Sequence, residues 1–228
     1  MRSEICLEGE YMKYFLIIGG IAIVIAVIII VIRYYERKRR EALIKLARLM
    51  DYTFSAKGGD SLLTSVNQFH LFSRGHPRKI TNVMTRRSDD ADVTVMDYRY
   101  TTGGGKNSRT WRQTVILYRC DRLNLPDFEL RPENVFHKIG SAFGYKDIDF
   151  DSHPLFSKQY LLRGADEQAI RNHFTPTRLR FYEQHKGIST EGAGDQLIFY
   201  RSSKRVPPEK IRAFIEVGAE VLRLFRAV

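Results

Sequence analysis

The chain has 228 residues, 43% hydrophobic and 28% charged, with 37 Lys and Arg against 26 Asp and Glu for a formal net charge of +11. That apolar content excludes a wholly disordered chain. Two cysteines, Cys6 and Cys120, exclude a disulfide framework or a thiolate cluster. The basic excess leaves an anionic membrane surface, nucleic acid or an acidic partner as counterparts.

Residues 1–13 read as a short tail in which Arg2 and Lys13 face three glutamates. From Tyr14 to Ile32 the chain is apolar without a break, 19 residues dominated by Ile and Val. As a helix this run spans roughly 28 Å, the thickness of a bilayer's hydrocarbon core, and its transfer is favourable by about 5 kcal/mol or more. A cleaved leader is disfavoured, because the preceding stretch is not basic and Arg33-Tyr34-Tyr35 stands where small cleavage-site residues belong.

Residues 33–48 hold seven Lys and Arg, whereas the tail holds two. Retention of positive charge inside the cell predicts the tail outside and everything beyond residue 32 in the cytoplasm. Arg33, Arg37, Lys38, Arg39 and Arg40 are the expected contacts with an anionic leaflet, worth about 1 kcal/mol each. Gly19-Gly20 lacks the small-xxx-small context of a helix dimer, and Cys6 can link two chains outside the membrane.

Leu43, Leu46, Ala47 and Met50 recur at helical spacing, so residues 33–50 are predicted to continue the membrane helix as a basic juxtamembrane segment. Residues 51–228 then form one α+β domain with a mainly antiparallel sheet and packed helices. Tyr52 to Phe54 is a short strand, and Asp60 is expected to cap a helix reaching Val66. Ile80–Arg86, Val93–Tyr100 and Arg112–Cys120 alternate as strands. The glycine-rich stretch 101–110 between the last two reads as a hairpin loop.

Phe128 to Leu130 adds a strand, and Pro132 is expected to open a helix over Glu133–Phe143. Tyr160–Arg163 is a strand, followed by helices over Asp166–His173 and Pro176–Gln184. A hairpin pairs Ile188–Glu191 with Gln196–Tyr200 around Gly192 to Asp195. The chain closes on a helix after Pro207-Pro208-Glu209 whose apolar stripe is Ile211, Phe214, Ile215, Gly218, Val221, Leu222 and Phe225.

The sharpest cluster for chemistry is Asp147, Asp149, Asp151 and His153, which alternate with Ile148 and Phe150. Extended backbone places all four polar groups on one face, a low-ranking candidate for a divalent cation. Ser152 where a calcium loop needs Gly, and Lys158 where it needs Glu, exclude an EF-hand. A solvated acidic face with Ile148 and Phe150 turned inward is the preferred interpretation. Gly103-Gly104-Gly105-Lys106-Asn107 fails as a phosphate loop, since Tyr100 and Asn107 stand at its Gly and Ser/Thr positions and a strand follows. Lys106 and Arg109 remain as non-specific loop contacts. Six scattered histidines lack zinc spacing, and no serine or cysteine has a nucleophile's context.

Asp97-Tyr-Arg-Tyr-Thr-Thr-Gly103 with Gly105-Lys106 and Gln113-Thr114, Asp147-Ile-Asp-Phe150, His153-Pro154, Phe156-Ser157, Tyr160-Leu-Leu-Arg-Gly164 and Glu191-Gly-Ala-Gly194 together resemble a bacterial family, uncharacterised in function, with one N-terminal membrane helix and a cytoplasmic α+β domain. The resemblance covers most of residues 50–205. It implies a bacterial inner-membrane setting and supplies neither an activity nor catalytic residues. The expectation is a non-catalytic module with no cofactor, an accessory subunit or adaptor for a membrane-protein partner, for itself or for the lipid bilayer. A metal-dependent hydrolase using the Asp147 to His153 stretch ranks second, and nucleic-acid binding through the basic surface third.

Overall fold

A computed structural model describes residues 2–133 and 146–226, with side chains from Tyr14 onward. The chain divides into two compact units, Met1–Lys45 and Leu46–Val228. The first consists of helix α1 (Arg2–Leu49), which runs past the unit boundary. Among the described residues it is the one helix long and apolar enough to cross a membrane. The side chains of Tyr14 to Ile32 are all exposed, a long continuous apolar surface.

The second unit is α+β. Its sheet comprises β1 (Thr53–Lys57), β2 (Arg78–Arg86), β3 (Asp92–Thr102), β4 (Arg109–Arg119), β5 (Leu125–Pro132), β6 (Tyr160–Gly164), β7 (Ser189–Gly194) and β8 (Gln196–Tyr200). Their order across the sheet is β1-β2-β3-β4-β8-β7-β5-β6, and every neighbouring pair is antiparallel. Two groups of four strands meet where β4 pairs with β8, Ile116 opposite Phe199.

Both faces are covered, as the near-continuous burial of β3, β4 and β8 requires. On one face the short helices α2 (Asp60–Ser65) and α3 (His70–Ser73) close over Met96, Tyr98, Tyr100, Val115, Ile198 and Tyr200. Phe72 and Tyr98 have ring centroids 4.4 Å apart there. On the other face lie α4 (Pro154–Gln159), α5 (Glu167–His173), α6 (Pro176–Gln184) and α7 (Ile211–Arg226). Phe128 contacts Phe174 and Phe225, and Phe199 contacts Phe214. The expected stripe of α7 is buried at all seven positions. Gly218 within it lets the helix approach the sheet, since a Cβ there would stand 2.5 Å from the Tyr118 hydroxyl.

Several local expectations are corrected. Gly59, not Asp60, is the N-cap of α2, and no side chain caps it. Pro132 is the last residue of β5, opposite Tyr160, and Glu133 begins a 3-10 turn; the rest of the helix expected over Glu133–Phe143 lies outside the described residues. The closing hairpin is tighter than a four-residue loop, because Gly192 and Ala193 pair with Leu197 and Gln196. Helices α3 and α4, too short to show a period, carry no signal in the sequence. The helix expected from Asp166 is α5, and Asp166 itself stands just before it as the cap, accepting the Ala169 N–H at 2.9 Å.

Candidate functional site

The densest polar chemistry is in the second unit, on the sheet face that carries α3. Strand register brings it together: Glu129 of β5 is flanked directly by Arg163 on β6 and by Glu191 on β7. All three residues are at most 5% exposed. Alternation alone would send such side chains to solvent; here three adjacent strands align theirs in one row and α3 settles over it. Phe69, Leu71 and Phe72 hold α3 in the apolar core and so place His70 and Arg74 against the row.

Glu129 is the hub. Arg163 donates to its Oε2 from Nε at 2.7 Å, with Nη2 2.6 Å from the same oxygen, a close charge-assisted pair. Arg74 Nη2 donates to Oε1 at 2.8 Å, and Arg131 Nη1 stands 3.5 Å from the same oxygen. His70 bridges the group, with Nδ1 3.2 Å from Glu129 Oε1 and Nε2 3.3 Å from Arg163 Nη2. Burial on its own pushes the Glu129 carboxyl up, but His70 and the guanidiniums of Arg74 and Arg131 outweigh it and hold the group down at about 2.

Glu191 is treated differently by the same site. Burial and the neighbouring Glu129 charge push its carboxyl up to about 7, against the pull of Arg74 and of two donors. Those donors are the Tyr200 hydroxyl, 2.8 Å from Oε1, and the Leu71 N–H, 3.2 Å from each oxygen. Two carboxyl groups driven apart in this way can hold one proton between them near neutrality. A cleft of about 360 Å³ opens beside them, lined by His70, Glu129, Arg163 and Glu191 together with Phe69 and Phe128.

The arrangement is a buried ionic network in which the three guanidiniums of Arg74, Arg131 and Arg163 gather on Glu129 beside the carboxyl group of Glu191. The nearest hydroxyl on the cleft wall, Ser73, donates to the His70 carbonyl at 2.9 Å. Each carboxylate is committed to several donors, which favours rigidity over turnover. Sequence patterning missed these residues because they lie on three strands far apart in the chain. Their signal was charge inside strand-like segments, Glu129 with Asp127 and Arg131 in β5, Arg163 in β6 and Glu191 in β7, which only the register connects.

The residues singled out from the sequence lie elsewhere. Asp147, Asp149 and Asp151 are exposed in an irregular segment, and His153 precedes α4. Asp147 Oδ1 accepts the Leu162 N–H at 2.9 Å, the Asp149 carbonyl accepts from Arg171, and the His153 ring meets Ser152. Ile148 is buried and Phe150 packs edge-on against Phe156. Among the described residues no three His, Cys, Asp or Glu side chains converge as a metal site. Lys106 and Arg109 flank the tip of the β3–β4 hairpin, with the Arg109 guanidinium 4.0 Å over the Trp111 ring. Arg33, Arg37, Lys38, Arg39 and Arg40 belong to α1, where Arg37 pairs with Glu41 at 2.9 Å.

The fold is shared with a solved bacterial protein. The chain is similar to the crystal structure of the mycobacterial trehalose monomycolate transport factor A, TtfA, with a TM-score of 0.55 over 83% of this chain and 91% of that one. Identity is 12%, so the likeness is one of architecture. No known protein family matches the sequence, and no curated protein resembles it.

Proposed function

We propose that the protein is a membrane-anchored, non-catalytic accessory module, an adaptor for a membrane-protein complex or lipid surface. The observation that carries this is the coupling, in one chain, of a fully apolar span with a domain whose densest polar cluster is a buried ionic network held by several mutual contacts. The seven cations of residues 33–48 support an inside orientation for the domain, and the resemblance to single-pass bacterial proteins supports the inner membrane. Likeness in fold to a transport factor fits an assisting role. A tether keeps such a domain at high local concentration beside membrane partners without further contacts, which suffices as a mechanism.

The test is biochemical. The full chain should stay in the pellet after alkaline carbonate washing of vesicles, and the large C-terminal portion should resist protease added to intact spheroplasts. Purification in mild detergent from the native membrane should bring down a membrane protein at fixed stoichiometry. Release by carbonate, digestion from outside, or recovery of the chain alone each contradicts one part of the proposal.

A further inference from the structure

A second feature of the folded unit lies away from the charged cleft. A groove of about 590 Å³ runs between the turn after β8 and the flank of α7. Its walls are Pro207, Ala213 and Val217 with Phe214 at the base, and Lys204 and Lys210 stand exposed on it. Ala213 and Val217 lie on α7 outside its buried stripe, and Lys210 closes the 3-10 turn Pro208–Lys210 that leads into the helix.

The turn is fixed in place by the sheet. Thr114 donates its N–H to the Lys204 carbonyl at 3.1 Å, Gln113 Oε1 accepts the Ser203 N–H at 3.0 Å, and Thr114 Oγ1 accepts the Val206 N–H at 2.9 Å. Arg205 Nη2 donates to Asp97 Oδ2 at 3.2 Å, locking the same turn from its other side. The Lys204 backbone is thereby rigid while its ammonium faces solvent. Among the described residues no carboxylate forms an ion pair with Lys204 or Lys210, and no acidic side chain lines the groove.

We propose that this groove binds an anionic phospholipid, the phosphate between Lys204 and Lys210 and the first acyl carbons along Pro207, Ala213 and Val217. Lys204 and Lys210, exposed and without an ion-paired carboxylate, stand beside an apolar wall on a lining that also includes Arg201 and Arg205, and so complement a molecule that is itself anionic at one end and apolar at the other; the volume falls in the usual range for ligand sites. The inference rests on the membrane-anchored reading above, under which such lipids are always within reach of the domain.

Native mass spectrometry of the full chain in neutral detergent tests it, with dihexanoyl phosphatidylglycerol, dihexanoyl phosphatidylcholine and inorganic phosphate as probes. Phosphatidylglycerol should bind in preference to phosphatidylcholine. The double variant Lys204→Glu, Lys210→Glu should lose roughly 30-fold in that affinity, from about 1 kcal/mol per cation. Ala213→Trp, which fills the groove without changing charge, should lower lipid binding while a Lys186→Glu control, at an exposed lysine off the groove, leaves it intact. Equal binding of the two lipids, an unaffected double variant, or competition by inorganic phosphate at the lipid's own concentration overturns the proposal. An acidic peptide that displaces the lipid from wild type while Ala213→Trp binds lipid normally also overturns it. Carbonate extraction is independent of all these readouts, so failure of the groove and failure of the anchor are told apart.

Discussion

Glu129 and Glu191 stand directly opposite each other on β5 and β7, two carboxyl groups on one buried face of a sheet. Like charges at this position are unfavourable. The structure resolves the conflict by giving Glu129 the guanidiniums of Arg74, Arg131 and Arg163 and leaving Glu191 mainly neutral donors. The pair is thus a structural device whose strength depends on protonation.

Removing the hub should be costly. Glu129→Ala leaves Arg163 and Arg74 buried without their main acceptor, and loss of one partner from a buried ion pair costs about 3–5 kcal/mol. The melting temperature of the full chain in mild detergent should fall sharply, and Glu129→Gln should recover only part of the loss. A change within error for Glu129→Ala would falsify the hub assignment.

The pH dependence has opposite signs for the two groups. Glu129, held down at about 2 when folded, binds more protons unfolded, so its contribution is present above the unfolded carboxylate range and is lost as pH falls toward 2. Glu191, pushed up to about 7, binds more protons folded, so its effect on stability declines as pH rises from about 4.5 to about 7. Thermal unfolding between pH 5 and pH 7.5 should therefore show a downward slope that Glu191→Gln flattens. The amide keeps its acceptor for Tyr200 and Leu71, so the variant should fold normally. An unchanged slope would remove Glu191 as its source.

Asp97 is the buried anchor on the opposite side of β3. It accepts from Asn82 at 3.0 Å, Thr114 at 3.1 Å and Arg205 at 3.2 Å. Asp97→Ala should destabilise the unit by about 2–4 kcal/mol. Proteolysis should then cut first after the residues of the 201–205 turn; if that turn stays as protected as in wild type, Asp97 does not hold it.

Gly218 tests the packing of α7. A larger residue gains helix propensity of up to about 1 kcal/mol, but its Cβ would meet Tyr118 at 2.5 Å and both Ile116 and Phe199 at 3.2 Å. Gly218→Val should be destabilising by about 1–3 kcal/mol in chemical denaturation. A neutral or stabilising result would mean that the helix can lift from the sheet at little cost.

The span of α1, the α+β class, the strands of both hairpins and all seven contacts of the α7 stripe were legible in the sequence, because each is a local period repeated over many residues. The cap at Gly59 in place of Asp60 and the short helices α3 and α4 were not, since burial of Phe72 and Phe156 overrides weak local preference. The Asp147 to Asp151 run is conspicuous in one dimension, yet in three its aspartates are exposed and do not converge, while Ile148 is buried and Phe150 packs on Phe156. Glu129, Arg163 and Glu191 are unremarkable one by one and adjacent in the sheet. Periodicity along the chain therefore determined which segments form and which face they bury. Only tertiary structure decided which charges meet, because register between strands far apart in sequence is set by the packing of both sheet faces and by no neighbouring residue.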